Sequence, residues 1–422
     1  MSTDQFPASG LSEDLLFQDM EAARKSDVDW RAGRLPGFYV HFASDEVDEI
    51  GRKALEMFHA TNALGMAAFP SIRKFEAELV GWALDLFNAE DGCGSVTSGG
   101  TESIFLAVKT AREWARRHRP DVTAPKMVMP HSAHPAFDKA AKYLCMEPVR
   151  VPLQDDLRAD VAAIKAEIDE RTVFMMGSAP QFTFGLFDQI DELAAIADER
   201  NIWFHTDACV GGFLSPFAES LGYDIPPWDF RVRGVKSISA DLHKYGFAPK
   251  GASIVAFADD EASVRPFQVF DFENWSRGRY ATPTFAGTRP GATIAAAWAV
   301  MRFLGREGYT KIAAEIMRAK SKLREGIKAI PGLDICGDPP LSVMSYTSTE
   351  LDMQAIAAGM STKGWYTVAP SPNPPAINLG LLSLAFAAVA DQYLADLRNV
   401  CEQVRAGRAD YDAAKIGGYG AQ

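Results

Sequence analysis

The feature that most constrains this chain is an alternation. Short apolar runs at Met127–Met129, Val149–Val151, Val173–Met176, Ile202–Thr206, Lys236–Ser239 and Ser253–Phe257 are too brief for helices. Helical patterns at Pro135–Leu144, Val161–Ile168 and Ile190–Glu199 separate the first of them. Strands that alternate with helices form βαβ units, and these assemble into a mainly parallel sheet covered on both faces. An α/β fold is therefore expected. Upstream, Glu13–Arg24 reads as a helix capped by Ser12, and Glu46–Phe58 as one capped by Ser44 or Asp45. Ile72–Phe87 carries Phe75, Leu79, Trp82 and Leu86 on one stripe, and Thr101–Arg117 is a further helix.

The pattern changes after Gly291. Helices over Ala292–Leu304 and Tyr309–Ile330 lead to Pro331-Gly332. Beyond them the spacing predicts strands at Leu333–Cys336, Leu341–Thr347 and Trp365–Val368 around a helix at Met353–Thr362, then a proline-rich loop, PSPNPPA, before a last helix. With 422 residues the chain is long enough for more than one unit. The expected division is an N-terminal helical segment (1–60), a large domain (61–310) and a small C-terminal α+β domain (311–422). The tail GGYGAQ is expected to be frayed.

The net charge of −12 argues against nucleic acid as the main partner, because phosphate backbones attract basic surfaces. Five cysteines are scattered, with no CxxC pair, which fits a reducing compartment and gives no zinc signature. The start, MSTDQFPASGLSEDLL, has no basic segment followed by an apolar core, so no signal peptide is expected. The longest apolar run, around Leu379–Ala390, is far short of the ~20 residues that span a bilayer. A cytoplasmic protein without an integral membrane anchor is expected.

Four places carry candidate chemistry. SVTSGGTE, Ser95–Glu102, opens a helix with small residues; it is either an N-cap or an anion site made by free backbone N–H groups. Asp207 ends a strand, where ligands of open α/β sheets bind; it is a loop cap or the mate of a buried cationic nitrogen. His134 follows the strand Met127–Met129 as a cap, a packed residue or a ligand contact. Lys244, in SADLHKYGF, also ends a strand; it is a solvated charge or an amine set up for covalent chemistry. Cys209 beside Asp207 reads as a small buried thiol, and no metal site is expected from His205 with Asp207. Taken together the four suit pyridoxal 5′-phosphate, which needs an anion site, a group on its ring face, an acid facing its pyridinium nitrogen and a Schiff-base lysine. Their order is that of the aspartate-aminotransferase-like fold type I.

SVTSGGTESI, AHPAFDKAAKYLCMEPVRVPL, DFRVRGVKSISADLHKYGFAPKG and RYATPTFAGTRPG closely resemble sphingosine-1-phosphate lyases, from about Gly37 to at least Ser342. The resemblance implies roles at matching positions. Lys244 would hold the cofactor, Asp207 its ring nitrogen, Ala208 would pack beneath the ring and His134 on its other face. Gly100, Thr101 and His243 would bind its phosphate. Gly287 and Thr288 would reach the neighbouring subunit's site in a homodimer. Asn62, Lys250 and Tyr280 would face the substrate. The implied reaction is retro-aldol cleavage of a 2-amino-3-hydroxy compound, with Lys244, His134 or Tyr280 as acid or base. The alternative is an amino-acid decarboxylase on the same site, with a transaminase as a third reading. One departure stands out. Relatives carry Asn-Pro-Leu-His-Pro where this chain has NALGMAAFP, so Gly65 replaces a histidine that approaches the substrate phosphate, and Val40 falls where a tyrosine is found. His41 is a candidate replacement. The substrate then expected is a non-phosphorylated 2-amino-3-hydroxy compound, such as a sphingoid base, or an amino acid.

Overall fold

The computed structural model describes residues 6–37 and 39–408. Three helices come first, α1 (Glu13–Arg24), α2 (Asp45–Met57) and α3 (Pro70–Leu86). The alternating region contains β1 (Cys93–Thr97), α4 (Gly100–His118), β2 (Lys126–Pro130), α5 (Ala136–Leu144), β3 (Glu147–Val151), α6 (Val161–Glu167) and β4 (Thr172–Ser178). It continues through α7 (Ile190–Glu199), β5 (Trp203–Asp207), α8 (Ser215–Ser220), β6 (Val235–Ala240), β7 (Ser253–Phe257) and α9 (Glu261–Gln268). A hairpin, β8 (Phe270–Trp275) with β9 (Gly278–Thr282), precedes the long helix α10 (Gly291–Lys328). The C-terminal part holds β10 (Asp334–Ile335), β11 (Ser345–Thr347), α11 (Met353–Thr362), β12 (Ser371–Pro372), β13 (Pro375–Asn378), α12 (Leu384–Ala387) and α13 (Ala390–Arg405). The tail Gly417–Gln422 lies outside the described residues.

Seven strands form one sheet in the order β1-β7-β6-β5-β4-β2-β3. The pairs β2–β3, β2–β4, β4–β5 and β5–β6 are parallel, and β7 runs antiparallel to both its neighbours. Strands β2, β4 and β5 are buried at every position, as a sheet covered on two faces requires. This is the expected α/β fold of type I. Because β1, β2, β4, β5 and β6 point the same way, the loops that follow them share one edge. The register Ser178↔Asp207↔Ser239 sets three strand ends side by side there.

The structure departs from expectation where local pattern was weak. Cys93–Thr97 is a strand, although its Cys, Gly and Ser have little strand preference; its ladder to β7 makes it one. The β8–β9 hairpin was not expected; β8 begins with an alternation, Phe270-Asp271-Phe272-Glu273, but every one of its residues is exposed. The two helices expected on either side of residues 304–309 are both present, joined end to end in α10 and separated by a break at Gly305, where φ is 54°. The strands expected at Leu333–Cys336 and Leu341–Thr347 shrink to β10 and β11. Trp365–Val368 is not a strand: the Trp365 ring packs edge-on against Phe386 and Tyr393, and its indole N–H donates to Asp396 at 2.9 Å. The proline-rich PSPNPPA segment instead supplies β12 and β13, which complete a four-stranded sheet in the order β10-β11-β13-β12.

Candidate active site

A cavity of about 380 Å³ lies on the shared edge, walled by the start of α4 and the loops after β2, β4, β5 and β6. Open α/β sheets bind ligands at this edge because the parallel strands leave a crevice where their loops diverge.

Strand β6 ends at Ala240, and the next residues turn tightly, the Lys244 N–H donating to the Asp241 carbonyl at 3.1 Å. That turn brings the two side chains together. Lys244 Nζ is 2.9 Å from Asp241 Oδ2. Burial opposes the charge on Lys244, but the Asp241 carboxylate outweighs it and holds the ammonium above its ordinary range. The Asp241 carboxyl is lowered in turn: burial resists ionisation, and the charges of Lys244 and His243 overcome it. Its Oδ1 is buried with no hydrogen-bond partner among the described residues.

Asp207, the last residue of β5, is held by one oxygen. Oδ1 accepts the Cys209 N–H at 3.1 Å and the Ser239 hydroxyl at 3.2 Å. Behind it stands His205, fully buried, with Nδ1 2.9 Å from Ser237 Oγ and Nε2 3.1 Å from Ser239 Oγ. Burial pushes His205 down to about 4, so it is neutral at pH 7, and both its nitrogens are engaged by serines.

The two cavity histidines are each fixed in one tautomer. His134 Nδ1 accepts the Ala136 N–H at 3.1 Å, and His243 Nδ1 accepts the Ala252 N–H at 3.2 Å. An acceptor nitrogen carries no proton, so the neutral ring of each bears its hydrogen on Nε2. Burial lowers His134, against the pull of Asp207; it lowers His243 to about 4, against Asp241. Both are therefore neutral N–H donors at neutral pH.

Gly100 and Thr101 begin α4 and line the cavity with their backbone. A Cβ on Gly100 would lie 2.8 Å from Cys209 Sγ and 2.9 Å from Asp241 Oδ1, so only glycine lets the helix start sit this close. Glu102 anchors the first turn: Oε2 accepts the Ser98 N–H at 2.7 Å, and Oε1 accepts the Phe285 N–H at 2.8 Å, tying the 283–288 loop to the helix.

The expectation for Ala208 needs correction. Ala208 is fully buried, its N–H donates to the Ser239 carbonyl at 2.9 Å, and its side chain is not in the cavity wall; Cys209 and Val210 are. The chain leaves β5 into a turn closed by the Gly212 N–H on the Ala208 carbonyl, so strand alternation no longer sets which side chain faces the cavity. Burial and the charge of Asp207 raise the Cys209 thiol well above its ordinary range, which keeps it neutral.

Lys244, Asp207, His134, Gly100, Thr101 and His243 thus meet at one cavity. Asn62, Lys250, Tyr280, Gly287 and Thr288 do not line it within a single chain. Tyr280 lies on β9 between the rings of Phe270 and Trp275. Gly287 borders a separate cavity of about 630 Å³, where Arg289 pairs with Glu76 at 2.8 Å and 3.0 Å. Asn62 turns its Oδ1 onto the N–H groups of Leu64 and Gly65 at 2.9 Å and 3.1 Å, a loop-shaping role. Lys250 Nζ donates to the His243 carbonyl at 3.1 Å. His41 Nδ1 is buried without a partner among the described residues; burial, then the charges of Lys250, Lys244 and His243, push that ring well below its ordinary range. A side chain at Gly65 would find its nearest neighbour, Asn62 Oδ1, 3.9 Å away. Sequence reasoning passed over Asp241, whose signal was its spacing of three residues before Lys244.

The donor set fits pyridoxal 5′-phosphate. The helix start offers backbone N–H groups to an anion, Asp207 Oδ2 takes no hydrogen bond from a described residue, and Lys244 has an amine in the same cavity.

Residues 3–348 match the pyridoxal-dependent decarboxylase conserved domain. The chain is 40% identical to the sphingosine-1-phosphate lyase of Arabidopsis thaliana over 96% of its own length and 74% of that protein. It is 40% identical to sphingosine-1-phosphate lyase 1 of Rattus norvegicus over 94% of its length and 70% of that protein. The solved sphingosine-1-phosphate lyase of Burkholderia pseudomallei K96243 superposes with a TM-score of 0.90 at 35% identity, covering 96% of this chain and 94% of that one.

Proposed function

This chain belongs to the sphingosine-1-phosphate lyase family, and on that premise we propose that it cleaves the carbon–carbon bond between the amine-bearing and hydroxyl-bearing carbons of a 2-amino-3-hydroxy substrate. It is a pyridoxal-phosphate-dependent lyase. The observation that carries the reading of its site is the meeting of Lys244, Asp207 and His134 in one cavity.

When bound, pyridoxal phosphate supplies an electron sink for the pair released as a bond to the amine-bearing carbon breaks. Lys244 would hold the cofactor, and Asp207, with Oδ1 already fixed by Cys209 and Ser239, would leave Oδ2 for its ring nitrogen. His134 and Cys209 would pack against its ring. The α4 backbone at Gly100 and Thr101, with Nε2–H of His243, would hold its phosphate. The proton on the substrate hydroxyl would be taken by Lys244 Nζ, whose amine lies in the cavity, rather than by His134, whose Nδ1 is occupied. Asp241, 2.9 Å away, stabilises the ammonium so formed. Positioned acid–base groups of this kind contribute ~10²–10⁴-fold in rate.

Gly65 and Val40 favour a substrate without a phosphate, a sphingoid base or related amino compound, with Lys250 and His41 on the substrate side. A homodimer with shared sites is supported by the exposed Phe270, Trp275 and Phe285, on the hairpin and loop that lead to Gly287 and Thr288. Tyr280, on the same hairpin, reaches substrate in that assembly. The break at Gly305 supports a division into a large unit (61–310) and a small one (311–422) behind an N-terminal segment. No helix among the described residues is long and apolar enough to cross a membrane. Five unpaired cysteines support a reducing, cytoplasmic setting.

The test is to incubate purified protein with sphinganine, sphinganine 1-phosphate and a panel of amino acids, reading products by mass spectrometry. A long-chain aldehyde is expected. Carbon dioxide with an amine would assign a decarboxylase instead, and a keto product a transaminase.

A further inference from the structure

Successive residues of a strand face opposite ways, so Trp203, His205 and Asp207 share one face of β5, and Ser237 and Ser239 share one face of β6. The register sets His205 opposite Ser237 and Asp207 opposite Ser239, which puts all five side chains on the same face of the sheet. His205, Ser237 and Ser239 are fully buried, and the His205 ring lies 5.9 Å from that of Phe137 and 6.0 Å from that of Phe174. Polar groups sunk among such rings are costly unless they are paired. Here they are paired with one another, in a row that ends on Asp207.

The row has a direction. The Trp203 indole nitrogen can only donate, and its N–H reaches Ser237 Oγ at 2.9 Å. Ser237 thus accepts on one side and turns its own hydrogen to the other, onto His205 Nδ1 at 2.9 Å. Neutral His205 then carries its hydrogen on Nε2 and donates it to Ser239 Oγ at 3.1 Å. Ser239 in turn donates to Asp207 Oδ1 at 3.2 Å. The Cys209 thiol is also within reach of the Ser239 hydroxyl, but a neutral thiol accepts less well than a carboxylate. In the opposite tautomer of His205, Ser239 would give its hydrogen to Nε2 and turn a lone pair toward the Asp207 anion.

We propose that His205 is a positioning residue for the cofactor: through Ser239 it orders the hydroxyl that fixes Asp207 Oδ1, and so aims Oδ2 at the ring nitrogen. The inference rests on the reading of Asp207 as the partner of that nitrogen. Every hydrogen in the row stays on its own donor, so no proton is transferred. The row acts by removing the rotational freedom of one carboxylate before the cofactor arrives.

The test reconstitutes the full chain with pyridoxal 5′-phosphate and, separately, with 1-deazapyridoxal 5′-phosphate, whose ring has C–H in place of the nitrogen. Apparent Kd is read by absorbance, with circular dichroism to confirm the fold. A side chain that acts through Asp207 on the ring nitrogen matters only for the first compound, whereas general damage to the cavity weakens both alike. Ser239→Ala should weaken pyridoxal phosphate about tenfold, the worth of one hydrogen bond to a charged group, and leave the deaza compound unchanged. His205→Asn, whose shorter amide stops near the Nδ1 position, should show the same selective loss. His205→Gln returns an N–H near the Nε2 position and should recover most of it. Equal losses for the two compounds in Ser239→Ala, or no loss, overturn the proposal, and so does a His205→Asn protein that binds both as the unaltered chain does. Where the histidine variants do not fold, Ser239→Ala, the smaller change, decides alone. Asp207→Ala separates the proposal from its premise. A selective loss there that is absent from Ser239→Ala overturns only the row, whereas equal losses in Asp207→Ala overturn the assignment of Asp207 and the row with it.

Discussion

The amine of Lys244 rests 2.9 Å from a carboxylate oxygen of Asp241, three residues earlier in the same turn. That carboxylate is almost wholly buried, and its second oxygen has no mate among the described residues. Lys244 is thereby held as an ammonium before any cofactor arrives, and Asp241 becomes the group that manages its charge. Lys244→Ala should abolish the visible absorbance of bound cofactor and its fixation to protein by borohydride. Asp241→Asn should keep the linkage but lower the pH at which the free amine becomes reactive, since the ion that raised it is gone. A borohydride-stable adduct surviving in Lys244→Ala would move the linkage to another lysine.

Gly100 is the tightest constraint on the anion end of the cavity. Gly100→Ala would force a methyl to within 2.8 Å of Cys209 Sγ and 2.9 Å of Asp241 Oδ1. The helix start must retreat, and cofactor affinity should fall at least ~10-fold, a loss of about 1.4 kcal/mol. Cofactor retained on dialysis measures this, with circular dichroism to confirm the fold. Unchanged retention would show that the phosphate is not held at this helix start.

Acid should destabilise the protein in a definite window. His205 and His243 both have folded values near 4 against an ordinary 6.5, each lowered mainly by burial. Between those limits the unfolded chain binds more protons than the folded one, so stability is lost as pH falls from about 6.5 to about 4. Each site contributes on the order of 3 kcal/mol across the window, at about 1.4 kcal/mol per unit. Asp188 works in the opposite sense. Burial raises it to about 6, so its own penalty is felt as pH rises through the carboxylate range. Two histidines outweigh one aspartate, and His205→Asn should flatten the acid limb of urea-derived stability. An unaltered slope would mean that His205 titrates normally.

Cysteine reactivity should divide by exposure. Cys145 is exposed, whereas Cys209 is buried with its thiol held neutral. Iodoacetamide at mild alkaline pH should label Cys145 rapidly and spare Cys209, as read by peptide mass mapping, because the thiolate is the reacting species. Early labelling at Cys209 would contradict its placement in the cavity wall.

Gly65 has room for a side chain, since a Cβ there would lie 3.9 Å from its nearest neighbour. Gly65→His should lower KM for sphinganine 1-phosphate by about tenfold, the worth of one charge-assisted hydrogen bond of ~1.5–3 kcal/mol after imperfect geometry. The unphosphorylated amine should be unaffected. Equal KM values for the phosphorylated amine in both proteins would count against a phosphate site at this position.

Much of the fold was legible where side-chain periodicity is strong. Helices α1, α7 and α11 begin and end where their patterns predict, because one apolar face repeating every three to four residues admits few other conformations. Strand β1 was not legible. Cys93, Gly94 and Ser95 have no local reason to extend, and only the ladder to β7 makes them do so. Trp365–Val368 failed for the converse reason: its apolar run packs among helices through Phe386 and Tyr393 rather than joining a sheet.

The amino-acid order by itself determined the α/β alternation and, with it, that Asp207 ends a strand and that Lys244 and His134 each lie just beyond one. Strands that run the same way must deliver their trailing loops to one edge, so those residues were bound to gather. Tertiary structure alone decided which neighbours joined them: Asp241 in place of open solvent around Lys244, and Cys209 rather than Ala208 on the cavity wall. Those choices depend on how a turn aims a side chain and how closely a helix end approaches it. Neither has a period that a linear pattern can record.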